Sequence, residues 1–216
     1  AKTVALIDDK QTYTAGLTEN IKKFAEEKGV LEIVAHEHIT PGDSDFTAVL
    51  TKLKKVNPDV IYMSTYQPEG SKMIQQARKL GLESVFMSED AVYHPKFLEV
   101  AGPAAEGVYL TFAKAPDTPE RQAFEETYKK KWNTDAVGSY AYYAYDAAMV
   151  ILGAAAKGSA LDGESLAKTI RENEWDGVSG QIKFDEKGDR ELAHILWVVK
   201  DNQFVPYWDP LTGQDL

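Results

Sequence analysis

Over its first 115 residues the chain alternates short apolar runs with amphipathic stretches, and this alternation restricts the fold more than any other feature of the sequence. Val4–Ile7, Leu31–Ala35, Val60–Met63, Val85–Met87 and Gly107–Phe112 read as strands. Between the first two, Thr14–Lys28 repeats Leu17, Ile21 and Phe24 at helical spacing, and Gly29 stands where a C-terminal cap belongs. A second helix, Asp45–Val56, lines Phe46, Val49, Leu50, Leu53 and Val56 on one stripe and is stopped by Asn57-Pro58. The third, Glu69–Leu80, turns Met73, Ala77 and Leu80 inward before Gly81, and a short fourth covers Pro95–Val100. Strand–helix alternation of this kind predicts an α/β fold with a parallel sheet and helices on both faces.

The character changes after Phe112. Pro116 and Pro119 bracket a linker, with Thr118 as N-cap and Pro119 at the first helical position. Helices are expected over Glu120–Trp132, Tyr140–Lys157 and Glu164–Asn173. Strand patterning then returns: Gln181–Phe184 and His194–Val199 flank the polar turn Asp185-Glu186-Lys187-Gly188-Asp189, and Gln203–Val205 is a further short strand.

In an open α/β sheet the loops that follow the strands' carboxyl ends gather along one edge and form a crevice. Tyr13, Tyr66 and Asp90 each follow such an end, after Val4–Ile7, Val60–Met63 and Val85–Met87. Two phenols and a carboxylate there suggest a small-molecule site.

Several function classes are excluded or left without support. A net charge of −10 with no basic face argues against nucleic acid and against an anionic membrane surface. The basic run Lys129–Lys131 follows Glu125 and Glu126 on a helix and reads as a solvated face. Without cysteine there are no disulfides, thiolate nucleophiles or thiolate metal sites. Ala1-Lys2-Thr3 leads directly into a strand, so no signal peptide is visible, and a cleaved signal would leave the same start. The most apolar stretch, Ala141–Ala156, is too short and too polar to span a bilayer. Neither G-x-G-x-x-G nor a Walker A sequence is present, so no nucleotide cofactor is expected, and G-x-S-x-G is missing as well. Asp8-Asp9 resembles the acidic pair of a receiver domain, but Ser64-Thr65-Tyr66 stands where the phosphoacceptor aspartate would be, and the two aspartates read as edge charges. His36 and His38 share one strand face, which is half of a metal site. With no second pair of ligands at a readable spacing, they read as solvated histidines and no metal is expected.

Several segments in order carry a family resemblance: Val4-Ala5-Leu6-Ile7-Asp8-Asp9-Lys10-Gln11-Thr12-Tyr13, Pro41-Gly42-Asp43-Ser44-Asp45-Phe46, Asn57-Pro58-Asp59-Val60-Ile61-Tyr62 and Gln76-Ala77-Arg78-Lys79-Leu80-Gly81. Ala105-Glu106-Gly107 and Phe184-Asp185-Glu186-Lys187-Gly188-Asp189 continue it. Together they closely resemble the leucine/isoleucine/valine-binding protein family, the type I periplasmic solute-binding proteins of branched-chain amino-acid ABC transporters. The resemblance begins at the second lobe of that two-lobed, flavodoxin-like fold. It implies a second-lobe α/β domain over residues 1–116, a helical segment of the first lobe over 117–176, and a crossover with returning strands over 177–216. The N-terminal part of the first lobe is then missing, as in a fragment.

The resemblance also implies a non-enzymatic, periplasmic or otherwise extracytoplasmic protein that binds an amino acid or similar solute in an interlobe cleft and delivers it to a membrane permease. A ligand-sensing domain of a receptor or regulator with the same fold is the alternative. Tyr13 and Tyr66 match ligand-facing tyrosines, Asp90 matches the acidic group that receives the ligand's α-ammonium, and Tyr140 matches an aromatic residue on the first-lobe side. A carboxylate suits an ammonium because a charge-assisted hydrogen bond is the stronger kind. Asp90 has a capping alternative because it precedes a short helix, and Glu89 is the neighbour that a one-residue slip would exchange with it. Thr14 and Ser64-Thr65 stand where the family commonly has glycines, which implies a reshaped cleft. Apolar faces including Phe124, Ala147, Val150, Ile151 and Ile170 point to self-association.

Overall fold

The computed structural model describes residues 1–158, 162–190, 192 and 194–216, and the chain separates into two compact units, residues 1–112 with 194–216 and residues 113–193. In the first unit β1 (Thr3–Asp8), α1 (Thr12–Lys28), β2 (Glu32–His38), α2 (Thr47–Val56), β3 (Val60–Ser64), α3 (Glu69–Lys79), β4 (Val85–Ser88), α4 (Pro95–Ala101) and β5 (Tyr109–Ala113) follow in strict alternation. The second unit holds α5 (Pro119–Trp132), α6 (Ser139–Ala156), α7 (Gly163–Arg171) and a hairpin of β6 (Trp175–Gly177) and β7 (Gly180–Ile182). Strands β8 (His194–Lys200), β9 (Gln203–Asp209) and β10 (Gln214–Asp215) then return to the first sheet, whose order is β10-β9-β8-β5-β4-β3-β1-β2. The pairs β1–β2, β1–β3, β3–β4 and β4–β5 are parallel. This is the predicted parallel α/β sheet, extended by an antiparallel flap.

β1 sits inside this sheet with both faces covered. Val4 and Leu6 cluster with Tyr62 of β3 and with Leu17 and Ile21 of α1, while Ala5 and Ile7, on the opposite face, have no exposed surface. Burying a side chain such as Leu6 or Ile7 contributes roughly 1.5–3 kcal/mol. The helices end as the sequence indicates. Gly29 closes α1 at φ 63° and its N–H reaches the Ala25 carbonyl, and Asn57 closes α2 at φ 51°. Thr118 accepts the Arg121 N–H at the start of α5, ahead of Pro119.

Several expectations are corrected. The α1 stripe does not run inward through Phe24, which is 50% exposed; Thr14, Thr18 and Ala25 are the buried positions. The strand expected at Gln181–Phe184 is the shorter β7, paired with an unforeseen β6; a Cβ on Gly177 would stand 2.5 Å from Asp146 Oδ2, so the hairpin needs glycine there. Asp8 and Asp9 are not edge charges but buried, because the turn after β1 folds their carboxylates back under α1.

Asp8 is 1% exposed and fully partnered. Its Oδ1 accepts from the Lys10 N–H at 3.0 Å and its Oδ2 from the Thr18 hydroxyl at 2.8 Å. His38 Nδ1 lies 2.8 Å from Oδ1 and His36 Nε2 2.5 Å from Oδ2. The histidines are therefore not simply solvated. Register accounts for the meeting: Leu6 pairs with His36 and Asp8 with His38, so all three polar groups fall on one face of two neighbouring strands.

In the second unit the corresponding anchor is Asp146, buried on α6. It accepts the Val178 N–H at 2.8 Å, the Ser179 N–H at 2.9 Å and the Ser179 hydroxyl. Tyr142 is also buried and donates to Glu125 at 2.7 Å under the Arg121 guanidinium, whereas Tyr145, Met149, Ile151 and Leu152 are exposed.

Burial raises the Asp8 carboxyl, but the bonds from His38, His36, Thr18 and Lys10 outweigh it and hold the group at about 2, against an ordinary value of 3.8. Since the folded-state value is the depressed one, the stabilisation is complete above the unfolded value and is lost as pH falls from about 4 towards 2. Asp8→Asn is expected to cost roughly 2 kcal/mol at neutral pH and to flatten the acid limb in that window. Urea denaturation from pH 2 to 7 measures both.

Candidate functional site

The residues past the carboxyl ends of β1, β3 and β4 come together in the first unit. Asp9 organises the turn that presents the first of them: its carboxylate accepts the Gln11 N–H at 3.1 Å, the Gln11 side-chain amide at 2.7 Å and the Thr14 hydroxyl. The helix therefore begins at Thr12, and Tyr13 stands in its first turn, 42% exposed. The Tyr13 hydroxyl donates to Asp90 Oδ1, and the Tyr13 and Tyr66 rings lie tilted with centroids 6.2 Å apart. Beside Tyr66, a hollow of about 280 Å³ is lined by Asp9, Gln11, Pro41, Tyr66, Gln67 and Glu69. Glu69 braces its rim by accepting the Gly42 N–H at 2.7 Å.

Two neighbouring carboxylates after β4 have different tasks. Glu89 caps the 3-10 turn Asp90–Val92, accepting the Ala91 N–H at 2.6 Å, so the capping role belongs to Glu89. Asp90 is the group that bonds to Tyr13. Burial pushes the Glu89 carboxyl up to about 8; the Asp90 carboxylate adds to the rise and the Ala91 N–H opposes it. Glu89 is thus largely protonated at neutral pH. Burial also raises the Tyr66 phenol, with the charges of Glu89, Asp9 and Asp90 acting in the same direction, so Tyr66 remains a donor. Asp90, bonded by the Tyr13 hydroxyl next to the Tyr13 and Tyr66 rings, is an oxygen acceptor that can receive an N–H donor such as an ammonium.

The residues standing at commonly glycine positions are absorbed by the scaffold. Thr14 bonds to Asp9 and the Gln11 carbonyl, and Thr65 is packed under Gly70, whose absent Cβ would lie 3.2 Å from Thr65 Oγ1. Ser64 Oγ, Thr65 Oγ1, Gln67 Nε2 and Glu89 Oε1 are buried without a hydrogen-bond partner, a concentration of unsatisfied polar atoms in the residues next to Tyr66 and Asp90 in sequence. Sequence reasoning missed Glu89 as a neutral acid and Gln67 as a wall residue. The Gln67-Pro68 dipeptide just after Tyr66 was the available signal for the latter. Tyr140 lies in the first turn of α6 in the second unit and is exposed. A separate cluster, Asp8, His36 and His38, is the described group whose donor atoms could hold a metal, all within 4.8 Å of one another.

An open sheet with polar groups at its carboxyl edge defines the class, and sequence comparison identifies the family. A profile of the periplasmic binding protein family matches residues 1–203, and the chain belongs to that family. It is 34% identical over 189 residues to the leucine-, isoleucine-, valine-, threonine- and alanine-binding protein of Pseudomonas aeruginosa, covering 87% of this chain and 50% of the relative. Against the leucine-specific-binding protein of Salmonella typhimurium the identity is 35% over 187 residues, covering 86% and 50%. Among solved structures it matches a leucine binding protein from Thermotoga maritima with a TM-score of 0.85 and 30% identity, covering 98% of this chain and 62% of that one. The isoleucine-bound branched-chain amino-acid substrate-binding protein of Streptococcus pneumoniae superimposes with a TM-score of 0.78 at 25% identity, covering 94% and 58%. The chain spans about half the length of the curated relatives it matches. Among the described residues, no helix is long and apolar enough to cross a membrane.

Glu89→Gln retains the acceptor for the Ala91 N–H and removes the titration. Because the folded-state value is raised, the wild-type carboxyl costs stability progressively as pH rises from about 4.5 to 8, by up to roughly 1.4 kcal/mol per pH unit. The variant is expected to match wild type near pH 4 and to melt higher at pH 8, as read by calorimetry across that range.

Proposed function

We propose that this chain is a solute-binding module of an ABC uptake system and that its solute is an amino acid or a similar ammonium-bearing molecule. The observation that carries the reading is the Tyr13–Asp90 pair beside Tyr66 at the carboxyl edge of the sheet, in a chain of this family. Asp90 receives the ammonium, and the tyrosine rings cover the apolar part of the ligand. Tyr140 is assigned a ligand contact on the family resemblance alone. The module has no catalytic task. It works outside the cytoplasm, closes on its ligand by hinge motion and hands it to a membrane permease. Residues 1–116 are assigned to the second lobe, residues 117–176 to the first, and residues 177–216 to the crossover and the strands that return to the second lobe. Exposed Met149, Ile151 and Leu152 support self-association of the chain, which light scattering at high concentration tests; a clean monomer would remove that part.

Tyr13, Tyr66 and Asp90 supply an ammonium acceptor and apolar cover but no donors for a carboxylate, so a ligand held by them alone stays largely wet. The chain is expected to bind leucine, isoleucine and valine with dissociation constants no tighter than about millimolar. Calorimetric titration measures this, and micromolar binding would contradict it. With a complementary first lobe joined to the chain, Asp90→Asn is expected to weaken an α-amino acid by about 2–3 kcal/mol, roughly 30- to 150-fold, and to leave the deaminated analogue unaffected. Equal affinity of the variant and wild type for the amino acid would remove Asp90 from the site.

A further inference from the structure

We propose that Asp8, His36 and His38 form a binding site for a divalent transition-metal ion of the Zn²⁺ type. The three come from neighbouring parallel strands, and none of them is among the residues assigned to the solute. Two imidazoles and one carboxylate are a donor set that favours Zn²⁺, Ni²⁺ or Co²⁺ over Mg²⁺ and Ca²⁺, which take oxygen ligands. The donor atoms already converge. His36 Nε2 and His38 Nδ1 point at different oxygens of one carboxylate, 2.5 and 2.8 Å away, and the ring centroids are 4.4 Å apart. Two ligand atoms on a tetrahedral Zn²⁺ with bonds near 2.0–2.1 Å stand about 3.3 Å apart, so each imidazole–carboxylate contact opens by less than about 1 Å to admit the ion.

The surroundings fit a ligand set better than a hydrogen-bonded hub alone. Asp8 Oδ1 is also held by the Lys10 N–H and Oδ2 by the Thr18 hydroxyl, so replacing the imidazole protons by an ion orphans neither oxygen. Those same two bonds fix the carboxylate's orientation, as outer partners do around established metal ligands. Asp8 and His36 form the enclosed side of the site, at 1% and 16% side-chain exposure, while His38 at 40% leaves an entry from solvent. The chain's net charge of −10 favours cation approach. The ion would clamp β2, an edge strand of the sheet, to β1.

The test uses the whole chain, stripped with a chelator and titrated by calorimetry with ZnCl2, then with CoCl2 followed by visible absorption, with MgCl2 as control. The expected result is saturable binding of one Zn²⁺ equivalent, d–d bands of imidazole-bound Co²⁺, no response to Mg²⁺ and a higher melting temperature with Zn²⁺. His38→Gln removes the most exposed ligand without disturbing the core, and is expected to weaken Zn²⁺ by about tenfold or more and to abolish the thermal shift. Absence of saturable Zn²⁺ binding overturns the proposal. Wild-type affinity in both His38→Gln and His36→Gln, or an equal response to Mg²⁺, overturns it as well.

Discussion

The burial of β1 on both faces is the constraint on which the rest of the first unit depends. An apolar run with no exposed surface from Ala5 to Ile7 is followed directly by two aspartates that are also buried. A buried carboxylate has to be matched with donors, and here the donors come from everything that surrounds the strand end: the following turn, the first turns of α1 and the neighbouring strand. The two acids divide the work. Asp8 reaches sideways to β2 and Thr18, and Asp9 gathers Gln11 and Thr14 so that α1 starts at a fixed angle. The position of Tyr13, and through it the geometry of the proposed solute site, follows from a local requirement to satisfy charge at the end of an apolar strand.

The repetitive and local parts of this molecule were legible in its sequence. Alternating runs specified the parallel sheet, Gly29, Asn57 and Thr118 marked helix ends through backbone geometry, and placement past strand ends brought Tyr13, Tyr66 and Asp90 together in advance. What the sequence concealed depends on pairing between distant segments. Nothing near Asp8 announces that register will set it opposite His38, and nothing within the apolar run of α6 reveals that Asp146 will cap a hairpin more than thirty residues away. The division between Glu89 and Asp90 was hidden for a different reason. Adjacent carboxylates are chemically alike until one is enclosed, and enclosure is a property of the fold rather than of the residue.

Neutrality at Glu89 changes how the site acts on charged molecules. With its carboxyl pushed up to about 8 by burial, Glu89 carries little charge at neutral pH and adds little long-range attraction for a cation at this edge of the sheet. Under the proposed solute-binding role, selectivity then rests on whether a ligand can direct N–H donors at Asp90 while fitting against the phenol rings, not on charge alone. Buried, unsatisfied polar atoms of Ser64, Thr65 and Gln67 flank Tyr66 in sequence, so this stretch is polar in its interior as well as at its surface.

The hydroxyl of Tyr13 resting on Asp90 also has a kinetic meaning. A carboxylate already held by a neighbouring donor has given up its rotational freedom before any solute arrives, so capture requires little further ordering of this surface. Under the proposed solute-binding role, related solutes should then meet the same rigid acceptor at similar rates, and differences among them should lie mainly in how long each one stays.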